Sequence, residues 1–198
     1  MPSPKRSANI KRKTKETDIT VQLNINGSGK ISIQTPIGFF NHLLESFARH
    51  GFFDLVVKAK GDIEVDEHHT IEDIGLVLGE AFSQALKNKK GINRFGWALI
   101  PMDEARAKVC VDISSRPFLV YKVSIPKQRQ WEFNVNLVED FFRAFCTEAG
   151  LCLHIELEAG KDYHHSLEAI FKAFGRALAE AVRLNPRIKG VPSTKGKL

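Results

Sequence analysis

Two histidines followed three residues later by a glutamate occur twice in the chain, as His68-His69-Thr70-Ile71-Glu72 and as His164-His165-Ser166-Leu167-Glu168. On a helix, residues four apart point the same way. His68 with Glu72, and His164 with Glu168, therefore each offer an imidazole nitrogen and a carboxylate to one metal ion. The second histidine of each motif is turned away by about 100°, one residue of a 3.6-residue turn. His69 and His165 must reach different ions from His68 and His164. That asks for ligands exchanged between helices, across the halves of the chain or between subunits. Nitrogen with carboxylate suits Mn, Fe, Ni or Zn, and the absence of cysteine from the motifs argues against a structural zinc. One such motif can be a pair of surface histidines at a helix start. Two at matching places point to a shared task.

The elements around the motifs repeat in the same order. Alternating apolar residues predict strands over 19–25 and 30–34, joined by a turn at Asn26-Gly27-Ser28-Gly29. Helical spacing predicts a helix over 39–50, stopped by Gly51, then a strand over 53–59 and a helix over 66–86. In the second half, strands are expected over 105–113 and 118–123, a helix over 135–148 stopped near Gly150, a strand over 151–157 and a helix over 163–182. His42-Leu-Leu-Glu-Ser-Phe47 aligns with Asp140-Phe-Phe-Arg-Ala-Phe145. This is self-similarity between two ββαβα units. The expected architecture is α+β and internally duplicated, with two sheets and helices packed between or against them. The expected divisions are a basic arm over 1–15, halves over 16–90 and 91–185 sharing one core, and a tail over 186–198. The connection between the halves falls near 87–101.

Other histidines have plainer readings in isolation. His42 suits a hydrogen-bonded core position, His154 a strand, and His50 the cationic end of a helix. Asp66 and Glu67 suit the positive N-terminus of the second helix.

With 198 residues, 43% of them hydrophobic, the chain can bury a sizeable core. It has no apolar run of the roughly 18 residues that span a bilayer. The basic, polar start does not read as a secretory signal. Three cysteines in apolar stretches suit a reducing cytoplasm. The net charge of +6 is concentrated at the two ends, and no aromatics interleave with it to stack on nucleic-acid bases. Neither nucleic acid nor membrane is an expected partner.

The segments Asp66-Glu-His-His-Thr-Ile-Glu-Asp73, Gly160-Lys-Asp-Tyr-His-His-Ser-Leu-Glu-Ala-Ile-Phe-Lys172, Pro101-Met-Asp-Glu-Ala105, Pro192-Ser-Thr-Lys-Gly196 and Arg12-Lys-Thr-Lys-Glu-Thr17 resemble imidazoleglycerol-phosphate dehydratase. The likeness runs from about Ala8 to the C-terminus. It implies a fold similar to the second domain of ribosomal protein S5. It also implies conversion of D-erythro-imidazole glycerol phosphate to imidazole acetol phosphate in L-histidine biosynthesis, two Mn2+ per subunit, and a homo-24-mer built from trimers. By motif, one metal would take His42, His69, His164 and Glu168, from more than one subunit. The other would take His68, Glu72, His165 and one more residue. The family usually has a histidine at that last place, where this chain has Asp140. There the aspartate ligates, a water substitutes, or the site is weaker. A second departure is Asn41, where the family pattern leads one to expect aspartate; a partner supporting the ligands is then lost. Glu16 is implied as general acid/base and substrate contact, with His50 also at the substrate. Arg94, Arg116, Ser193, Thr194 and Lys195 are implied at the phosphate end, where arginine suits bidentate contact.

The chemistry is demanding because no carbonyl acidifies the hydrogen to be removed. The imidazole ring offers another route: in its anionic form it expels the hydroxyl one carbon away, and loss of a proton from the next carbon gives the enol. Two other readings compete on the residues alone. A basic binding module would not need two such motifs. A metal-dependent hydrolase would use the same ligands to activate water.

Overall fold

The computed structural model describes residues 6–125 and 133–198. Residues 1–5, the start of the expected arm, lie outside them. The first half runs β1 (Ser7–Lys13), β2 (Thr17–Asn24), β3 (Ile31–Gln34), α1 (Gly38–Gly51), β4 (Asp54–Gly61) and α2 (His68–Leu86). The second half runs β5 (Phe95–Met102), β6 (Ala105–Asp112), β7 (Phe118–Lys122), α3 (Leu137–Ala149), β8 (Cys152–Ala159) and α4 (Tyr163–Val182). Each half forms one four-stranded sheet, ordered β1-β2-β4-β3 and β5-β6-β8-β7. In both, the first two pairings are antiparallel and the last is parallel. The duplication is therefore reproduced strand for strand.

The repeated unit carries one strand more than the sequence leads one to expect. β1 falls in the expected arm and β5 in the expected connection, and each escapes the alternation rule for its own reason. At β1 an inward position carries Arg12, whose charge is met by Asp73 of α2. β5 is apolar on both faces: Phe95, Trp97 and Leu99 are exposed while Gly96 and Ala98 are buried. Gly96 lies against α4, where a Cβ would come 2.0 Å from the Ala177 carbonyl oxygen. A close approach of this kind leaves no periodic signal.

The four helices lie between the sheets, α2 against α3 and α1 against α4. Matching glycines set the spacing. A Cβ at Gly79 would meet the Phe145 carbonyl oxygen at 2.6 Å, and one at Gly175 would meet that of Phe47 at 2.4 Å. Buried phenylalanines fill the layer, including Phe40, Phe47, Phe82, Phe141, Phe145, Phe171 and Phe174, all fully inaccessible. The apolar core is continuous through both halves. α3 ends as expected, with Gly150 left-handed at φ 64°. At the end of α1 the left-handed residue is Phe52, not Gly51. Gly51 is there because a side chain would strike the Phe53 ring.

Candidate metal centre

α2 begins at His68 and α4 at Tyr163, so both paired-histidine motifs occupy the first turn of a helix. Asp162 caps α4, accepting from the His165 backbone N–H at 3.0 Å, and Asp66 accepts from that of His68 at 2.9 Å. The close packing of α1 on α4 then carries His42 to the second motif. Nε2 of His42 and Nε2 of His164 each lie 3.4 Å from Oε2 of Glu168. One ligand atom from each of the three residues falls within 4.8 Å of the others. His42 Nε2 is buried and, although 3.4 Å from Glu168, makes no well-aligned hydrogen bond among the described residues. A buried nitrogen left unpaired costs free energy, and a cation at the cluster would satisfy it. Two imidazoles and a carboxylate fit a divalent transition metal. Phe39 walls the cluster, its ring centroid 5.0 Å from that of His164.

Glu168 is buried, and Lys172, one turn on, lies 2.9 Å from its Oε1. Burial pushes this carboxyl up, but the Lys172 hydrogen bond and charge, with His42 beside it, outweigh that and leave it below the usual range. It stands ionised and ready to ligate. A cavity of about 450 Å3 opens beside the cluster, lined by His42, Arg49, His50, Glu168 and Lys172 among others. His50 therefore shares a cavity with the metal cluster. Its imidazole is held below its ordinary pKa by burial first and then by Lys172 and Arg176.

The packing of α2 on α3 makes the matching arrangement in the other half. His68 lies with Nε2 3.6 Å from Glu72 and Nδ1 3.4 Å from Asp140. The histidines of the two groups are about equally accessible, but the carboxylates here are open, Glu72 46% and Asp140 37% exposed against 11% for Glu168. Asp140 occupies the place opposite its motif that His42 occupies opposite the other.

The second histidines face away from both clusters. His69 Nδ1 lies 3.2 Å from each carboxylate oxygen of Asp62. His165 Nδ1 lies 2.8 Å from Glu104, with Nε2 3.6 Å from Asp103. A carboxylate on Nδ1 fixes the ring and raises the basicity of the other nitrogen. Both imidazoles have raised pKa values, from Asp62 and Glu104 first. The Glu104 carboxyl is held down to about 2, chiefly by the Asp162 backbone N–H and then by His165. Asp62 and Glu104 were invisible as supporting residues in sequence: one lies in a loop and the other reaches its histidine only through the β5–β6 turn. Lys172 was legible, one helical turn beyond Glu168.

Glu16 sits in the turn between β1 and β2. Its backbone carbonyl accepts from the Asp62 N–H at 3.2 Å, and its charge contributes to the raised pKa of His69. It belongs with the outward-facing histidine. Asn41 is engaged elsewhere, its Oδ1 accepting from the Thr35 hydroxyl at 2.6 Å.

The phosphate candidates gather at the other end of the second half. Arg94 holds Asp112 through two bonds, Nε to Oδ1 at 2.7 Å and Nη2 to Oδ2 at 3.1 Å. It also donates to the Pro192 carbonyl at 3.0 Å, which docks the tail carrying Ser193, Thr194 and Lys195. Two of its five N–H groups remain for an anion. Arg116 is exposed, in the loop between β6 and β7. The Arg94 backbone N–H bonds Ala181 at the C-terminal end of α4, while His164 is at the N-terminal end. A helix of 20 residues is about 30 Å long. Within one chain, these cations and the His42 cluster do not meet.

The family model for imidazoleglycerol-phosphate dehydratase matches residues 35–178. The chain belongs to the imidazoleglycerol-phosphate dehydratase family. The Thermoanaerobacter pseudethanolicus dehydratase is 55% identical over 193 residues, which cover 98% of this chain and 100% of the relative. The crystal structure of the Staphylococcus aureus dehydratase superposes with a TM-score of 0.79 at 39% identity, covering 90% of this chain and 99% of that one. The Pyrococcus furiosus dehydratase, solved with (S)-C348, gives 0.82 at 35% identity, covering 96% and 100%. This chain is thus a dehydratase, a hydro-lyase of histidine biosynthesis. No helix among the described residues of the dehydratase is long and apolar enough to cross a membrane.

Proposed function

We propose that the chain dehydrates D-erythro-imidazole glycerol phosphate to imidazole acetol phosphate, at manganese sites completed by more than one copy of the chain. The observation that carries this is the division of ligands. His42, His164 and Glu168 form a cluster with an unsatisfied buried nitrogen, while His69 and His165 point away with Nδ1 already bonded. The outward histidines fit the clusters of neighbouring copies. His69 and Glu16 then arrive together, and the cations at the far end of α4 arrive from another copy.

Bound Mn2+ would supply Lewis acidity and a template for the substrate imidazole. The chain's own residues do the rest. Glu16 moves the proton at the carbon that loses hydrogen. The hydroxyl leaves from the neighbouring carbon, so one C–H and one C–O bond break and water departs. The resulting enol tautomerises to the ketone. Phe39 covers the imidazole ligands, and Arg94, Arg116, Ser193, Thr194 and Lys195 hold the phosphate.

The surface supports assembly. The outer face of the second sheet exposes Phe95, Trp97, Leu99 and Phe118, from 44% to 70% accessible. The same face of the first sheet carries Asn9, Lys11, Gln22, Lys58 and Lys60. Apolar exposure on this scale marks an interface. The occupant proposed is a second copy, in a homo-24-mer built from trimers.

Incubation with imidazole glycerol phosphate and Mn2+ should yield the ketone and no inorganic phosphate. Phosphate release without ketone would point to a hydrolase. Removing metal should shift the particle to a smaller oligomer, and Mn2+ should restore it. An unchanged sedimentation profile after verified metal loss would sink the shared-ligand reading.

The two arginines should separate. Arg116→Ala and Arg94→Ala should each raise KM about 10- to 100-fold, the cost of a charge-assisted contact. Arg94→Ala should also lower the melting temperature, because Asp112 loses its partner and the tail its anchor. Loss of manganese in either folded variant would show that the assignment is wrong.

A further inference from the structure

The two halves differ at the hairpin next to the outward histidine. In the second half, the β5–β6 turn carries Glu104, which is fully occupied. It accepts from the Lys161 and Asp162 backbone N–H groups at 3.2 and 2.8 Å and lies 2.8 Å from His165 Nδ1. In the first half, the β1–β2 turn carries Glu16, and Asp62 takes the place on His69 Nδ1. The Glu16 carboxylate takes no hydrogen bond among the described residues. One hairpin acid is tied down and the other is free.

The free one is held by its backbone. Glu16 and Thr17 both donate backbone N–H bonds to Thr14 Oγ, at 3.1 and 3.0 Å. Thr14 and Thr17 hydroxyls lie 3.3 Å apart. The Thr17 hydroxyl donates to Asp73 of α2, which also pairs with Arg12 on the opposite side of the turn. With its proton committed to Asp73, Thr17 can only accept from Thr14. The chain of bonds runs from Asp73 through Thr17 and Thr14 to the Glu16 backbone. Asp73 lies one helical turn beyond His69 and is 7% exposed. At the matching place after the other motif stands Ala169. Among the described residues, the brace exists only in the half whose hairpin acid is free.

We propose that Asp73, with Arg12 and Thr17, is a positioning device that fixes the Glu16 carboxylate relative to His69. It rests on the proposed role of Glu16 in proton transfer. Asp73 touches neither metal nor substrate. It couples the helix carrying the outward ligand to the turn carrying the acid, so that both enter a neighbouring site in one registered unit.

The test uses the manganese-loaded assembly. Asp73→Asn and Thr17→Val should lower kcat about 10-fold, the scale of a catalytic group displaced by a fraction of an ångström, with KM, manganese content and particle size unchanged. Thr17→Ser, which keeps the hydroxyl, should restore kcat. A normal kcat in Thr17→Val, an equal loss in Thr17→Ser, or loss of manganese alongside kcat would each overturn the proposal. Where Asp73→Asn does not fold, the Thr17 pair decides. Glu16→Gln stands as the separate arm: a normal rate there sinks the role of Glu16 itself, whereas a low rate there beside normal Thr17→Val and Asp73→Asn rates sinks only the brace.

Discussion

Glu168→Gln is expected to empty the cluster at His42 and His164 and to reduce turnover by at least about 10^3-fold, above the 10- to 100-fold that follows loss of a merely supporting partner. The change keeps the volume of the side chain and removes its charge. Two imidazole nitrogens at 3.4 Å then face an amide in place of a carboxylate. The anion that attracts the ion is gone, and Lys172, held 2.9 Å from Glu168, becomes an uncompensated cation at the same spot. Lys172 is only 16% exposed, so its charge is poorly screened by water. Breaking such a pair by removing one partner costs about 3–5 kcal/mol where burial is complete, and somewhat less here. A lower melting temperature should therefore accompany the metal loss. Lys172→Met in the same chain removes the stranded charge, and should recover stability without recovering metal. Metal analysis with calorimetry on the single and double variants separates the two effects. A Glu168→Gln protein that keeps its full metal complement and its rate would refute the ligand assignment.

Much of this centre was legible in the sequence because helices make spacing into geometry. The i, i+4 relation put His164 with Glu168 and His68 with Glu72 on single faces, and the adjacent histidines on others, before any contact was known. The internal match aligned His42 with Asp140, but their places beside the motifs came only from the family resemblance, since His42 read alone suits a core position. α4 runs over the expected residues, Tyr163–Val182. Illegible were the features set by topology. β1 hides behind an inward arginine whose partner is sixty-one residues away on α2. β5 hides because both its faces are apolar, one for α4 and one for the outside. Asp62 and Glu104 reach their histidines through a loop and a hairpin turn, and neither spacing carries a period. Sequence also grouped Arg94 with the phosphate residues without revealing that Asp112 and Pro192 already hold it.

The pseudo-symmetry gives the remaining prediction its force. Asp140→Ala is expected to weaken metal at the His68–Glu72 site by about 100-fold, the upper range for a residue that ligates or directly supports a ligand, and to lower turnover with it. The site at His42, His164 and Glu168 should stay filled, because α3 contributes nothing to it. Asp140 faces His68 at 3.4 Å, the same distance that separates His42 from Glu168. The two centres nevertheless differ chemically. One adds an imidazole from α1 to a motif whose carboxylate is buried; the other adds a carboxylate from α3 to a motif whose own carboxylate is open to water. Carboxylate oxygen is the harder donor, so the second site should favour Mn2+ or Mg2+ over Zn2+ more than the first does. Asp140→His should retain metal and shift that preference toward Zn2+, making the halves alike. A different reading treats Asp140 as a first-turn acid of α3, favourable to the helix dipole by only about 0.3–1 kcal/mol. On that reading alanine slightly lowers stability and leaves metal stoichiometry alone. Two tightly bound ions per chain and a normal rate in Asp140→Ala would therefore remove Asp140 from the centre. Loss of one ion of two, with the preference of Asp140→His moved toward nitrogen-seeking metals, would fix its carboxylate as the ligand that makes the second site unlike the first.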